Sequence, residues 1–168
     1  DPAVVADGDL NDWDLVPNPI VLKGRAHVTH SPDQWDGDRD LSAVIRLCWR
    51  PGELAIAAEV TDDSVRQPYA GADIWRGDHV NLWLDFQPGV EPERTMFGEG
   101  QVHLVVSPGD VATVKPEIHV YRPEGLNPGP GAVASRRTAT GYVVEAVIPV
   151  ERLGVPAFAM YKDANFEV

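Results

Sequence analysis

The chain has 168 residues, 43% hydrophobic and 24% charged, the length and composition of one globular domain with its own core. Its 26 acidic residues against 14 basic ones give a formal charge of −12, which disfavours nucleic acid, itself a polyanion, over most of the surface. The single cysteine, Cys48, excludes an intrachain disulfide and a cysteine-based zinc cluster, and no apolar run is long enough to cross a bilayer as a helix.

The amino-terminal turn Asp7-Gly8-Asp9 gathers Asp7, Asp9, Asp12 and Asp14, which read either as turn-forming acids or as oxygen ligands for calcium. Beyond it, Ser42 to Trp49 alternates Ala43, Ile45, Leu47 and Trp49 with Ser42, Val44, Arg46 and Cys48, the period of a strand. Arg50-Pro51-Gly52 is a turn, and Glu53 to Thr61 then places Leu54, Ile56, Ala58 and Val60 on one face, which predicts a hairpin. Cys48 falls in this apolar region and is expected in the core.

A connection rich in Asp, Pro and Gly, Asp62 to Gly77, carries a second acidic group, Asp62, Asp63 and Asp73, again readable as surface acids or as calcium ligands. The strand predicted at His79 to Phe86 turns Val80, Leu82, Leu84 and Phe86 inward and His79, Asn81, Trp83 and Asp85 outward. Gln101 to Val106 repeats the pattern, with Val102, Leu104 and Val106 inside and Gln101, His103 and Val105 outside. Further strands are predicted at Val111 to Val114, Glu117 to Tyr121, Ala132 to Arg137, Tyr142 to Pro149 and Ala164 to Val168, with one helical turn at Val150 to Leu153. Pro123 to Gly131 reads as a long hairpin loop inside the domain.

Many short strands without intervening helices predict an all-β, two-sheet antiparallel β-sandwich of the jelly-roll or immunoglobulin-like kind, a single domain over 1–168. If its polar-faced strands lie side by side, His79, Asn81, Trp83, Asp85, Gln101 and His103 share one surface, with His119 and Tyr121 as possible additions. Such a mixture suits sugars, whose hydroxyls need short donors and acceptors and whose C–H faces pack on aromatic rings. A solvated sheet face with Trp83 shielded by a loop has the same composition. Gly-x-Ser-x-Gly, His-Glu-x-x-His and phosphate-binding glycine loops are absent, and no acid pair stands out for glycoside hydrolysis, so catalysis is not expected.

Four segments resemble carbohydrate-binding module family 9 and the wider group of DOMON-like β-sandwiches. Asp7-Gly8-Asp9-Leu10-Asn11-Asp12-Trp13 is similar to the family's opening Asp-Gly…Trp pattern, and Leu54 to Asp63 is similar to its strand ending in Thr-Asp-Asp. Asp73-Ile74-Trp75-Arg76-Gly77-Asp78-His79-Val80-Asn81-Leu82-Trp83-Leu84-Asp85 resembles its Trp-x-x-Asp-x-Val-Glu-Ile-x-x-Asp segment, and Gly141-Tyr142-Val143-Val144-Glu145-Ala146-Val147-Ile148-Pro149 its Gly-Tyr-x-x-Glu-x-x-Ile-Pro strand. The resemblance implies non-catalytic sugar binding by an accessory module of a larger extracellular or periplasmic protein, with structural calcium but no organic cofactor.

It also implies that Trp75 stacks on a terminal sugar, beside the outer face read from alternation, so the expected ligand-binding residues are Trp75, Asn81, Trp83, His103, Asp85 and His79, and the acidic loop supplies Asp62, Asp63 and Asp73 as metal candidates. Asn81 departs from the family's frequent Glu, and His103 and Val105 stand where its best known sugar binders carry Arg and Asn. The family continues to a second aromatic clamp near its carboxyl terminus, whereas this chain stops at Phe166-Glu167-Val168, which reads as a truncated chain, a site whose second wall comes from elsewhere, or an incomplete site. The expected partner is a carbohydrate, with no nucleic acid and no membrane, for a monomer or part of a multidomain chain. Two rival expectations are a haem-binding relative, for which only Met96 and Met160 could serve as methionine ligands, and a structural spacer that binds nothing.

Overall fold

The predicted hairpin forms the centre of the larger sheet in the computed structural model, which describes residues 3–87, 93, 95–110, 112–126 and 132–154. Strand β2 (Leu41–Arg50) pairs antiparallel with β3 (Glu53–Asp62) in an unbroken register from Leu41↔Asp62 to Arg50↔Glu53. Gly52 makes the turn possible at φ 80°, a left-handed conformation that costs glycine little. The short β1 (Ile20–Leu22), which has too few residues for its period to stand out in the sequence, extends the sheet beyond β2.

On the other side of β3 lie β8 (Gly141–Pro149) and then β7 (Ala132–Arg137), completing the order β1-β2-β3-β8-β7. Gly141 is required where β8 begins, since a Cβ there would sit 2.1 Å from the Val60 carbonyl oxygen. The second sheet has three strands in the order β4 (Val80–Asp85), β5 (Gln101–Ser107) and β6 (Glu117–Arg122), all antiparallel. The two sheets close on one apolar core: Leu54, Ile56, Ala58, Val60, Val144, Ala146 and Ile148 from one, Val80, Leu82, Val102, Leu104, Val106, Ile118 and Val120 from the other. Ala43, Ile45, Leu47 and Trp49 of β2 pack against it as their alternation predicts.

A second layer was not evident in the alternation. The amino-terminal segment crosses the back of the larger sheet, where Val4, Trp13 and Val16 pack on Cys48, Ala55, Ala57 and Val147, so β3 and β8 are covered on both faces. The small Ala55 and Ala57 leave room for the indole. Glu145 anchors this strap from within β8: one carboxylate oxygen accepts from Trp13 Nε1 at 2.6 Å, the other from the Gly8 amide at 2.5 Å. Arg136 Nε donates to the Gly8 carbonyl at 2.7 Å, so Gly8 is held through both its amide and its carbonyl.

The predicted strand Val111–Val114 is not one over its described residues. Asp110 draws that segment into a turn, its carboxylate accepting from the amides of Ala112, Thr113 and Val114 and from the Thr113 hydroxyl. These donors favour the ionised form and hold the Asp110 carboxyl well below the usual carboxylate range. The turn at Val150–Leu153 is present as a 3-10 helix, and the strand predicted at Ala164–Val168 lies outside the described residues.

Candidate functional site

The connection before β4 is built around Gln67, whose side chain is buried and donates from Nε2 to the carbonyls of Ile74 (2.8 Å) and Asp78 (2.6 Å). Gly77 lets the chain pass close by, because a Cβ there would meet Gln67 Oε1 at 2.4 Å. Between them a 3-10 turn, Gly71–Arg76, buries Ile74 and packs against β5 and β6. The Gly71 amide donates to Glu117 on β6, and the Tyr121 hydroxyl donates to the Ala72 carbonyl, both at 2.8 Å. Trp75, next to the buried Ile74, is left 58% exposed.

Alternation on the three-stranded sheet sets the residues opposite the core on one outer face. Cross-strand register pairs Asn81 with Val105, Trp83 with His103 and Asp85 with Gln101. Val105 belongs to this face but is fully buried, as the 3-10 turn packs over β5 and β6, so it offers nothing to a ligand. Between His103 and Leu104 the pairing with β6 slips by one residue, so that Tyr121 is the extra residue of a bulge.

The outcome is a row of rings across the strands. His103 stacks on Trp83 with centroids 3.9 Å apart and planes 11° from parallel, Tyr121 follows at 5.1 Å from His103, and His119 at 4.5 Å from Tyr121. Phe97, from the loop before β5, meets Trp83 edge-on at 5.5 Å. Although His103 covers one of its faces, Trp83 keeps 63% of its surface in water. Trp83, Phe97, His103, His119, Tyr121 and Arg122 line an open depression of about 540 Å³, with Glu124 paired to Arg122 at its rim.

Polar groups on the face are fixed before any ligand arrives. His103 Nε2 donates to Asn81 Oδ1 at 2.9 Å, and Gln101 Nε2 donates to Asp85 Oδ2 at the same distance. Burial lowers the His103 pKa, and the charges of Arg122 and His79 lower it further, so the stacked imidazole is neutral at pH 7 with Nδ1 able to accept. Tyr121 shifts upward, mainly through burial. Asp78, in the connection before β4, also shifts upward through burial, opposed by the bond from the Arg66 amide.

The predicted residues thus divide. Asn81, Trp83, His103 and Asp85 come together on one face, whereas His79 donates from Nδ1 to the Gly77 carbonyl at 2.7 Å and does not line the depression. Trp75 does not line it either, but it lies three residues after Ala72, the partner of Tyr121. Phe97, Arg122 and Glu124 were missed, since they sit in or beside loops where no period marks them.

The metal candidates do not converge: Asp62 Oδ1 accepts from the Ser64 amide at 2.7 Å, and Asp73 faces Arg76 at 3.9 Å. Among the described residues no three His, Cys, Asp or Glu side chains are grouped to hold a metal, so these acids do not fit a calcium cage of side chains. Met96 is exposed, and Met160 lies outside the described residues.

Residues 23–165 match the family model described as carbohydrate family 9 binding domain-like. The chain belongs to that family. Its fold is similar to a carbohydrate binding module family 9 from Caldicellulosiruptor kristjanssonii solved with glucose, at 19% identity and a TM-score of 0.58 over 87% of this chain and 64% of that one. The same is true of that module solved with cellotriose, at 18% identity and a TM-score of 0.58 over 87% of this chain and 63% of that one. The chain therefore spans less than two thirds of the length of these structures. No curated protein matches it. In this family 9 domain the opening Asp7…Trp13 segment precedes the matched stretch, yet Trp13 and Gly8 are bonded directly to Glu145 inside it.

Proposed function

We propose that this family 9 domain binds carbohydrate without cleaving it, on the outer face of the β4-β5-β6 sheet, as an accessory module of a larger exported protein. The observation that carries the reading is the exposed Trp83 indole, backed by a stacked neutral His103 and flanked by side chains already hydrogen-bonded in place. An aromatic ring offers the C–H face of a pyranose a flat apolar surface, and Asn81, Asp85, Gln101 and His103 Nδ1 offer its hydroxyls partners beside that surface. Pre-ordered side chains lower the cost of association, although one open platform against water gives weak binding. Glucose and cellotriose, the ligands of the similar module, name β-1,4-linked glucose units as the first ligands to try.

Calorimetric titration with cello-oligosaccharides tests the reading. Binding in the micromolar to millimolar range is expected, corresponding to roughly 4 to 8 kcal/mol. Trp83→Ala should remove it, Trp75→Ala at the border of the same face should weaken it less, and both variants should melt close to the parent because both rings are solvent-exposed. No saccharide bound at millimolar concentration, or full affinity in Trp83→Ala, would sink the reading.

A further inference from the structure

Trp75 is carried by a loop whose interior holds a polar side chain. At the base of the loop, residues 66 and 78 are joined twice: the Asp78 amide donates to the Arg66 carbonyl at 3.0 Å, and the Arg66 amide donates back to the Asp78 carboxylate. Residues 66–78 thus close a compact surface loop packed by its own side chains. Gln67 lies inside it, only 2% exposed. Its Nε2 donates to the Ile74 carbonyl at 2.8 Å and the Asp78 carbonyl at 2.6 Å, and its Oε1 accepts from the Tyr69 amide at 3.2 Å. An apolar chain of similar volume would fill the same space. What the side-chain amide adds is orientation, because its fixed donors and acceptor hold three backbone groups at once, and a fully satisfied buried network favours one arrangement.

One of those three groups bears directly on Trp75. The Ile74 carbonyl and the Trp75 amide belong to the same planar peptide unit, so a bond to the carbonyl fixes the plane from which the Trp75 Cα leaves. On the amide side stands the outer face: the Tyr121 hydroxyl donates to the Ala72 carbonyl at 2.8 Å, and the Trp75 amide favours its ionised form against burial. This peptide therefore spans from buried Gln67 to a ring of the binding face. With 58% of its surface in water, the Trp75 indole takes its place mainly from the backbone that carries it.

We propose that Gln67 is a positioning residue for sugar binding, which acts through Trp75 by holding the Ile74–Trp75 peptide and so setting the exposed indole at the border of the outer face. This rests on the carbohydrate reading and deepens it, since it gives a buried loop residue a part in affinity.

A double-mutant cycle with Trp75, read by calorimetric titration with cello-oligosaccharides, tests the role. Gln67→Met keeps the side-chain volume and removes the amide, so the indole must be ordered when the ligand arrives and affinity should fall by about two- to tenfold. In a Trp75→Ala background the same change should alter affinity by less than about twofold, because the group being positioned is gone, whereas a merely weakened fold would lose affinity in both backgrounds. The Trp75 indole N–H signal, assigned through Trp75→Phe, should show increased picosecond-to-nanosecond motion in Gln67→Met while the Trp83 signal keeps its parent value. Gly77→Ala is a second, independent variant: its methyl would press on Gln67 Oε1 and the Arg66 carbonyl from an extended backbone that alanine adopts freely, and it should give the same pattern if Gln67→Met does not fold. Parent affinity in these variants, or an equal loss with and without Trp75, overturns the positioning role while carbohydrate binding stands. A parent protein that binds no cello-oligosaccharide overturns both.

Discussion

On the back of the larger sheet, Trp13 is fully buried and its indole N–H is bonded to Glu145; on the outer face of the smaller sheet, Trp83 leaves 63% of its surface in water. The first arrangement gains both the burial of a large ring and a satisfied donor, which is how a tryptophan stabilises a fold. The second leaves a large apolar surface uncovered beside other rings, an arrangement that marks an interaction surface more often than a folding device. One side chain type thus reports structure in one place and recognition in the other, and its surroundings decide which.

Truncating Trp13 should give the largest effect. Trp13→Ala leaves a cavity against Ala55 and Ala57 and removes one of the two donors to the buried Glu145, so a loss of about 3 to 5 kcal/mol is expected in denaturant unfolding. Trp83→Ala measured alongside should cost far less, about 0.5 to 1.5 kcal/mol for the lost stack on His103. A Trp13→Ala variant as stable as the parent would break the contrast, showing the strap to be merely draped over the sheet.

A smaller effect separates the two ways in which His103 could serve Trp83's face. Its Nε2 is engaged by Asn81 and its ring covers the indole, so it is cast as the support that holds Trp83 upright. Aromatic pairs are worth about 0.5 to 1.5 kcal/mol beyond burial, so His103→Ala should weaken sugar binding by about two- to tenfold. His103→Phe, which keeps the stack but not the Nδ1 acceptor or the bond to Asn81, should lose less than Ala. If Phe loses as much as Ala, His103 acts on the ligand through its own hydrogen bonds.

The strands were legible because burial on one face writes a period of two into the sequence, and β4 and β5 show it residue by residue. That period also put Asn81, Trp83, Asp85 and His103 on one surface before any coordinates. It failed where a strand is covered twice: Ala55 and Ala57 alternate with the inward residues of β3, and only the strap's position shows what covers them. It was silent on Phe97 and on the bulge at Tyr121, because loops and register slips carry no period. Gln67 was missed for a related reason: nothing local distinguishes a glutamine that organises a loop from a solvated one.

The smallest expected effect concerns the pH dependence of the strap. Burial pushes the Glu145 carboxyl above its usual value, opposed by the bonds from Gly8 and Trp13 that favour the ionised form. A carboxyl with a raised folded-state pKa binds more protons in the native than in the unfolded chain between the two values, so its contribution to stability falls as pH rises through that window and is constant above it. Asp78 shifts in the same direction, so the melting profile of the parent alone does not isolate Glu145. Glu145→Gln does. It leaves Asp78 in place and removes only the Glu145 titration, at the constant cost of offering one acceptor where two donors converge. The variant should be less stable than the parent throughout, and the gap should narrow as pH rises from the ordinary carboxylate range towards neutrality. A gap that widens with pH would mean that the carboxylate is held in its charged form, with the two hydrogen bonds outweighing burial, and that the strap is tightest at neutral pH.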